Sequence, residues 1–119
     1  MQAILLIDHG STYKPANDML QEIAALLRLK SPHILVEIAH MELASPSIEE
    51  SFRACVEKGA THIIAHPYML SPGRHATKDI PNLVQTASQK FPKITYTVTK
   101  PLGIHPLIAD IILDRISEI

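Results

Sequence analysis

Apolar residues recur along the chain in four short runs, and each run is followed by a segment with helical spacing. The first run, Ala3 to Asp8, stays apolar almost to its end, which is typical of a strand covered on both faces. The other runs are about Ile34 to Met41, His62 to Tyr68 and Ile94 to Thr99. Strands separated by lengths of chain that hold a helix predict a parallel sheet.

The first two intervening segments have the signals of helix starts and stops. From Pro15 to Leu29, apolar residues recur every three or four positions. In the second segment, Ser45-Pro46 predicts a cap with proline in the first turn, and Ser47 with Glu50 fits a capping box. Gly59 is placed to end this helix. Two helices are therefore predicted here.

Two further helices follow the third and fourth strands. Residues 71–75 predict a loop, and the helix after it tolerates Pro81 only in its first turn. Pro106 opens the last helix, which has apolar positions through Ile116. The whole pattern predicts an α/β fold over residues 1–119: a single-domain, three-layer sandwich with a four-stranded parallel sheet flanked by helices.

The composition narrows the classes of function that the chain can have. The 119 residues are 46% hydrophobic and 19% charged, which suits one core. A formal net charge of −1 argues against a general nucleic-acid binder. The longest apolar runs are far shorter than the roughly 20 residues of a membrane helix, and the first residues lack a signal peptide's basic start. We therefore expect neither a nucleic-acid nor a membrane partner.

The only cysteine, Cys55, excludes an internal disulfide and fits a reducing compartment, so a cytoplasmic location is expected. Cys55 shares a helical apolar stripe with Phe52 and Val56. We interpret it as an unreactive core residue.

Three residues with metal-binding or proton-transfer chemistry fall at or just past the ends of successive predicted strands. His9, Glu42 and His75 are equally spaced along the chain, by about one strand, one helix and two turns. In an open parallel sheet, such spacing brings strand ends to the edge where ligands bind. Two imidazoles and a carboxylate suit a first-row divalent metal or proton transfer near neutral pH.

Each of the three also has a simpler interpretation. His9 can be a turn histidine satisfied by backbone groups, and Glu42 can be a solvated charge. His75, beside Arg74 and Lys78, can belong to a solvated basic loop or meet an acidic ligand. Residue type alone leaves these alternatives open.

The segment from Asp8 to Thr12 links a strand to a helix, so its amides can cradle an anion. Histidine phosphatases share a His-Gly pair, but with a preceding arginine that grips the phosphate. Asp8 occupies that position here and would repel a phosphate, which argues against a phosphatase.

Four blocks of sequence together bring a more specific resemblance. In chain order, the four blocks are Asp8-His9-Gly10-Ser11, the run from Met41 to Ile48, the run from Pro67 to His75 with Asp79-Ile80-Pro81, and the run from Pro101 to Pro106. They resemble the small sirohydrochlorin chelatases of the CbiX type. The resemblance covers almost the whole chain.

The resemblance implies an ATP-independent chelatase that inserts a divalent metal into sirohydrochlorin, for cobalamin or siroheme biosynthesis. Co²⁺ is the expected metal, with Fe²⁺ or Ni²⁺ used by relatives, and the metal is a substrate, so no permanently bound cofactor is expected. Short members of the family are expected to be homodimers. The competing class is a non-catalytic metal-binding or metal-delivery protein of the same fold.

The family's catalytic histidines fall on His9 and His75, and its acidic metal-contacting position falls on Glu42. Both imidazoles can accept pyrrole protons and bind the metal, so the expected metal ligands are His9, Glu42 and His75. The chain departs from the family at Asp8, where a glycine is usual.

The expected contacts to the acidic tetrapyrrole are Arg74 and Lys78, with hydrogen bonds from Ser11 and Thr12.

The remaining histidines are predicted to have other roles. His33 and His62 are expected at the opposite edge of the sheet, and His105 is expected to cap the last helix. His66 fits a buried structural role as well as a site role, and His40 matches no family role.

Overall fold

The computed structural model describes all 119 residues and contains one sheet of four parallel strands in the order β2-β1-β3-β4. The strands are β1 (Gln2–Asp8), β2 (Leu35–His40), β3 (His62–Pro67) and β4 (Thr95–Val98). Because β1 pairs with both β2 and β3, the first apolar run is a central strand covered on both faces, as its sequence predicts.

Four helices follow the strands along the chain. They are α1 (Lys14–Lys30), α2 (Ile48–Glu57), α3 (Ile80–Ser88) and α4 (Pro106–Ser117), and a π-helical turn, His75–Asp79, immediately precedes α3. The predicted α/β class and the four-stranded parallel sheet are confirmed.

Three of these helices make the outer layers of the sandwich. On one face, α1 packs Leu20 and Ala24 against β1 and β2. On the other face, α2 and α3 form a larger core around the fully buried Phe52. Cys55 lies in that core, and burial raises the pKa of its thiol to about 12. The prediction of an unreactive core cysteine is therefore confirmed.

The start of α2 differs from its prediction in one detail. Ser47 is the N-cap, and its reciprocal hydrogen bonds with Glu50 form the predicted capping box. The prediction that Ser45 caps the helix with Pro46 in its first turn is wrong. The Pro46 carbonyl instead accepts a hydrogen bond from the N–H of His40, so Pro46 pairs with the end of β2.

The segment before α3 also differs from its prediction. His75 was expected in a loop, but it is the first residue of the π-helical turn that runs directly into α3. Pro81 lies in the first turn of α3, as predicted. The helical segment begins earlier because Ala76 and Ile80 are both buried in the core and hold the turn against it.

The last helix, α4, stands apart from the sandwich. None of its residues is buried, and Ile111, Ile112, Leu113 and Ile116 are each more than half exposed. Its apolar residues therefore do not serve the core of this chain. No helix of the structure is both long and apolar enough to cross a membrane.

Candidate metal and proton-transfer site

The ends of β1 and β2 remain paired beyond the strands themselves. The N–H of Met41 donates to the carbonyl of Asp8 at 2.8 Å, and the N–H of Glu42 donates to the carbonyl of His9 at 3.1 Å. This pairing places the two predicted ligands side by side. His9 Nε2 lies 3.0 Å from Glu42 Oε1.

Gly10 makes this close approach possible. Its φ is +91°, and a Cβ at this position would lie 1.8 Å from the carbonyl oxygen of Glu42. Any side chain would therefore collide with the backbone that carries Glu42. The sequence showed a glycine after His9 but not the backbone opposite it, so its role could not be predicted.

His9 has a partner on each ring nitrogen. Nδ1 lies 3.0 Å from the backbone carbonyl of Gly10, and Nε2 faces the Glu42 carboxylate. A carbonyl oxygen only accepts hydrogen bonds, so Nδ1 carries a proton. The contact of Nε2 with Glu42 is then satisfied either by a second proton on the ring or by a cation between the two atoms.

His75 lies beside His9, with 4.9 Å between the ring centroids and 66° between the ring planes. Its Nδ1 is 2.8 Å from Asp79 Oδ2, one helical turn along the chain. The structure therefore places His9 beside both Glu42 and His75, and the roles of the three residues as metal ligands and proton acceptors stay predictions. It adds Asp79, which the sequence did not suggest as a site residue because His75 is predicted at the end of a loop, and i,i+4 partners are expected only within a helix.

The site is open to solvent and shallow. The side chains of His9, Glu42 and His75 are 43%, 53% and 51% exposed. Two grooves of about 280 and 410 Å³ include these residues: His9 lines the first with Tyr68 and Met69, and Glu42 and His75 line the second. No three His, Cys, Asp or Glu side chains stand close enough in the structure to hold a metal ion.

The four predicted substrate contacts have different environments. The Ser11 hydroxyl accepts a hydrogen bond from the N–H of Tyr13 at 2.9 Å and so stabilises its own turn. Thr12, Arg74 and Lys78 are exposed. Asn17, which the sequence interpretation missed, accepts from the backbone N–H of Ser11 and donates to its carbonyl.

A second histidine–carboxylate pair lies directly behind the site. His40 is 2% exposed, and its Nδ1 is 2.6 Å from Asp8 Oδ1. The two residues are register partners at the ends of β1 and β2. The pairing of Asp8 with His40 joins the strand ends that carry His9 and Glu42. No role is predicted for Asp8 or His40 from the sequence.

The remaining histidines lie away from the site or support the fold. His33 is exposed and His62 begins β3, so both lie at the opposite edge, as predicted. His105 caps α4 by accepting a backbone N–H, also as predicted. His66 Nδ1 contacts the Thr99 hydroxyl at 2.7 Å, and burial lowers the pKa of the imidazole.

Comparisons with known proteins agree with this architecture. The family profile described as CbiX matches residues 3–119. A chloroplastic sirohydrochlorin ferrochelatase of Arabidopsis thaliana is 44% identical over 115 residues, which are 97% of this chain and 51% of that protein. The crystal structure of the sirohydrochlorin chelatase SirB from Bacillus subtilis subspecies spizizenii, in complex with cobalt, superimposes with a TM-score of 0.84. Its sequence is 39% identical, and the alignment covers 99% of this chain and 50% of SirB.

The chain thus spans about half the length of these two relatives. A sirohydrochlorin cobaltochelatase of Methanococcoides burtonii is closer in size. It is 35% identical over 124 residues, covering 98% of this chain and 95% of that protein. A single unit of this length therefore occurs among proteins of this type.

Proposed function

Because this chain belongs to the CbiX family, we propose that it inserts a divalent metal ion into sirohydrochlorin without ATP. The observation that carries the proposal is the meeting of His9, Glu42 and His75 at one edge of the sheet, with 3.0 Å between His9 Nε2 and Glu42 Oε1. Co²⁺ is the proposed metal, with Fe²⁺ and Ni²⁺ as alternatives, because nitrogen and carboxylate donors suit all three.

The metal enters, on this proposal, between His9 and Glu42. These two groups already face each other at 3.0 Å, so a divalent cation can bind the Nε2 lone pair of neutral His9 and the Glu42 carboxylate together, and any proton on Nε2 is released to solvent. A small movement of the half-exposed His75 side chain, 4.9 Å away between ring centroids and still bonded to Asp79, then adds a third donor, and its Nε2 is released as the metal passes to the ring nitrogens.

Insertion also requires a base for the two pyrrole N–H protons. The Nε2 atom of His75 makes no hydrogen bond within the protein, so it is free to accept one proton, pass it to solvent at this open edge and then accept the second. The exposed Arg74 and Lys78 contact the substrate's carboxylates, and Ser11 and Thr12 supply hydrogen bonds. Arg74 is placed for this because it neighbours His75 and its Nε lies 3.8 Å from Asp79.

The active unit in this proposal is a homodimer. The site is a shallow edge, whereas binding sites commonly enclose most of a small ligand. The exposed aliphatic residues of α4 form more apolar surface than this chain covers by itself. A second copy that packs against α4 buries that surface and gives the ring a second wall.

The decisive experiment is an anaerobic insertion assay with purified protein, sirohydrochlorin and Co²⁺, Fe²⁺ or Ni²⁺ in parallel. The absorbance change of insertion should be faster than without protein and should continue over many turnovers. The matched control is the double variant His9→Ala/His75→Ala, which should show no acceleration. Metal binding without turnover would instead support a metal-delivery protein.

Oligomeric state is tested separately by light scattering at micromolar concentration. The proposal expects twice the chain mass of 13.2 kDa. Ile112→Glu/Ile116→Glu on α4 should produce monomers and slow insertion, whereas Glu57→Gln, on the exposed end of α2, should change neither. A wild-type monomer that inserts metal at full rate contradicts the dimer.

A further inference from the structure

We propose that Asp79 is a positioning residue that holds His75 in its Nδ1–H tautomer and keeps Nε2 free for the reaction. The expected effect of Asp79 on metal insertion rests on the proposed function. Its structural part concerns one hydrogen bond, between His75 Nδ1 and Asp79 Oδ2 at 2.8 Å.

The hydrogen bond determines which nitrogen carries the proton. An ionised carboxylate has acceptors only, so Nδ1 must donate to it. In the neutral imidazole the other nitrogen, Nε2, then has the lone pair. Nε2 has no partner in the protein, so its lone pair is available to a metal ion or a pyrrole N–H.

The backbone keeps the two side chains in register. His75 and Asp79 begin and end the π-helical turn, so they are one turn apart on the same side of the segment. Ala76 and Ile80, which are 3% and 0% exposed, fix that turn to the core. The pair can therefore keep its geometry although both side chains reach solvent.

Asp79 also has a second neighbour, which gives the competing explanation. Arg74 Nε lies 3.8 Å from Asp79 Oδ1, so the carboxylate could serve only to hold Arg74 near the substrate. The Arg74 side chain is 79% exposed, and an exposed ion pair of this kind adds little to stability. The contact to His75 is 1.0 Å shorter, which favours the histidine as the partner that matters.

Without Asp79, the ring of His75 loses its preference for Nδ1–H and can turn an N–H toward the metal. A protonated nitrogen neither binds a metal nor accepts a proton. Loss of the carboxylate partner of a ligating histidine typically lowers metal affinity or activity by about 10- to 100-fold. We expect the insertion rate of Asp79→Ala to fall by a factor in this range.

The direct readout is ¹⁵N NMR of the histidine side chains at a pH well above 7, where imidazoles are neutral. In the wild-type protein, His75 should show a protonated Nδ1. Asp79→Ala should shift it to the Nε2–H form, whereas Asp79→Asn keeps an acceptor oxygen and should preserve Nδ1–H. Glu57→Gln, an exposed carboxylate at the far end of α2, is the control and should leave His75 unchanged.

Insertion kinetics complete the test. Asp79→Ala should lose at least tenfold in rate, Asp79→Asn should recover most of it, and Arg74→Ala should keep the wild-type tautomer. An unchanged His75 tautomer in Asp79→Ala overturns the proposal, as does equal loss of rate in the Ala and Asn variants. If Asp79→Ala does not fold, Nε2–H in Asp79→Asn overturns it and Nδ1–H supports it. A wild-type protein that inserts no metal defeats the proposed function, while the NMR result still decides the role of Asp79.

Discussion

His9 and His75 meet at the same edge of the sheet, but the chain holds them by different means. His9 follows β1 directly, and backbone pairing with the β2 extension sets its position. His75 begins a helical turn, and the side chain of Asp79 sets the orientation of its ring. Both rings are about half exposed, so solvent access does not distinguish them.

The difference lies in what each Nε2 atom faces. For His9 it faces the Glu42 carboxylate at 3.0 Å, and for His75 it faces no protein atom within hydrogen-bonding distance. On the proposed function, a cation is stabilised at the first position and a proton is accepted at the second. We therefore propose that metal enters mainly through His9 and Glu42 and that protons leave mainly through His75.

Gly10→Ala should have the largest effect, because it breaks the His9 side alone. The new Cβ would lie 1.8 Å from the Glu42 carbonyl oxygen, at a φ of +91°. Overpacking and positive φ together should cost about 3 kcal/mol of unfolding free energy. Insertion should fall at least about 100-fold, as when a catalytic group is lost.

Urea unfolding and the insertion assay measure the two effects of Gly10→Ala. Gly73→Ala is the matched control, because nothing lies within 4 Å of a Cβ at that position. Near-normal stability and rate in Gly10→Ala would mean that the two strand ends are not held in this arrangement.

Single replacements of the two histidines separate their roles. His9→Ala and His75→Ala should each lose about 100-fold or more in insertion rate, and both should remain folded because both rings lie outside the core. Only His9→Ala should also weaken Co²⁺ binding strongly in the absence of tetrapyrrole, measured by calorimetry. Equal weakening of Co²⁺ binding by both replacements would remove the division of roles.

Glu42→Gln tests the carboxylate alone and should have a smaller effect. The amide keeps the shape of the side chain but cannot neutralise a divalent cation, so the KM for metal should rise about tenfold. The affinity for sirohydrochlorin should change little. Glu49→Gln, whose carboxylate pairs with Lys90 away from the site, is the control. Equal loss of metal and tetrapyrrole affinity would indicate a structural role for Glu42.

The fold could be predicted because its signals are local and repeated. The unbroken apolar run of β1, the capping box at Ser47 and the glycine after α2 each depend on residues a few positions apart. Topology alone then identified His9 and Glu42, because both lie at the ends of predicted strands. The helical turn at His75 was missed because its start depends on burial of Ala76 and Ile80, a tertiary property.

The supporting contacts of the site could not be predicted for the same reason. Asp8 with His40, and Gly10 with Glu42, join residues that are far apart in sequence and meet only when β1 pairs with β2. The sequence of α4 predicted a helix correctly, but nothing in it shows that the helix packs away from its own sheet.

His66 provides the smallest predicted effect and a contrast to the two site histidines. It lies near the same sheet edge, but its Nδ1 contacts the Thr99 hydroxyl and burial lowers the pKa of its imidazole. The unfolded chain therefore binds a proton more readily at this residue than the folded protein does. Its contribution to stability is present above the unfolded pKa of about 6.5 and is lost as pH falls through the lower, folded pKa.

His66→Asn keeps a polar partner for Thr99 and removes the titrating group. Urea unfolding at several pH values between about 7.5 and 5 should show a slightly smaller loss of stability for this variant than for wild type. His33→Asn, which changes an exposed histidine, should follow the wild-type curve. Insertion activity should be nearly unchanged, because His66 is assigned no step of the reaction. A steeper pH dependence in His66→Asn, or a loss of activity as large as that of His75→Ala, would place His66 in the site and end the contrast.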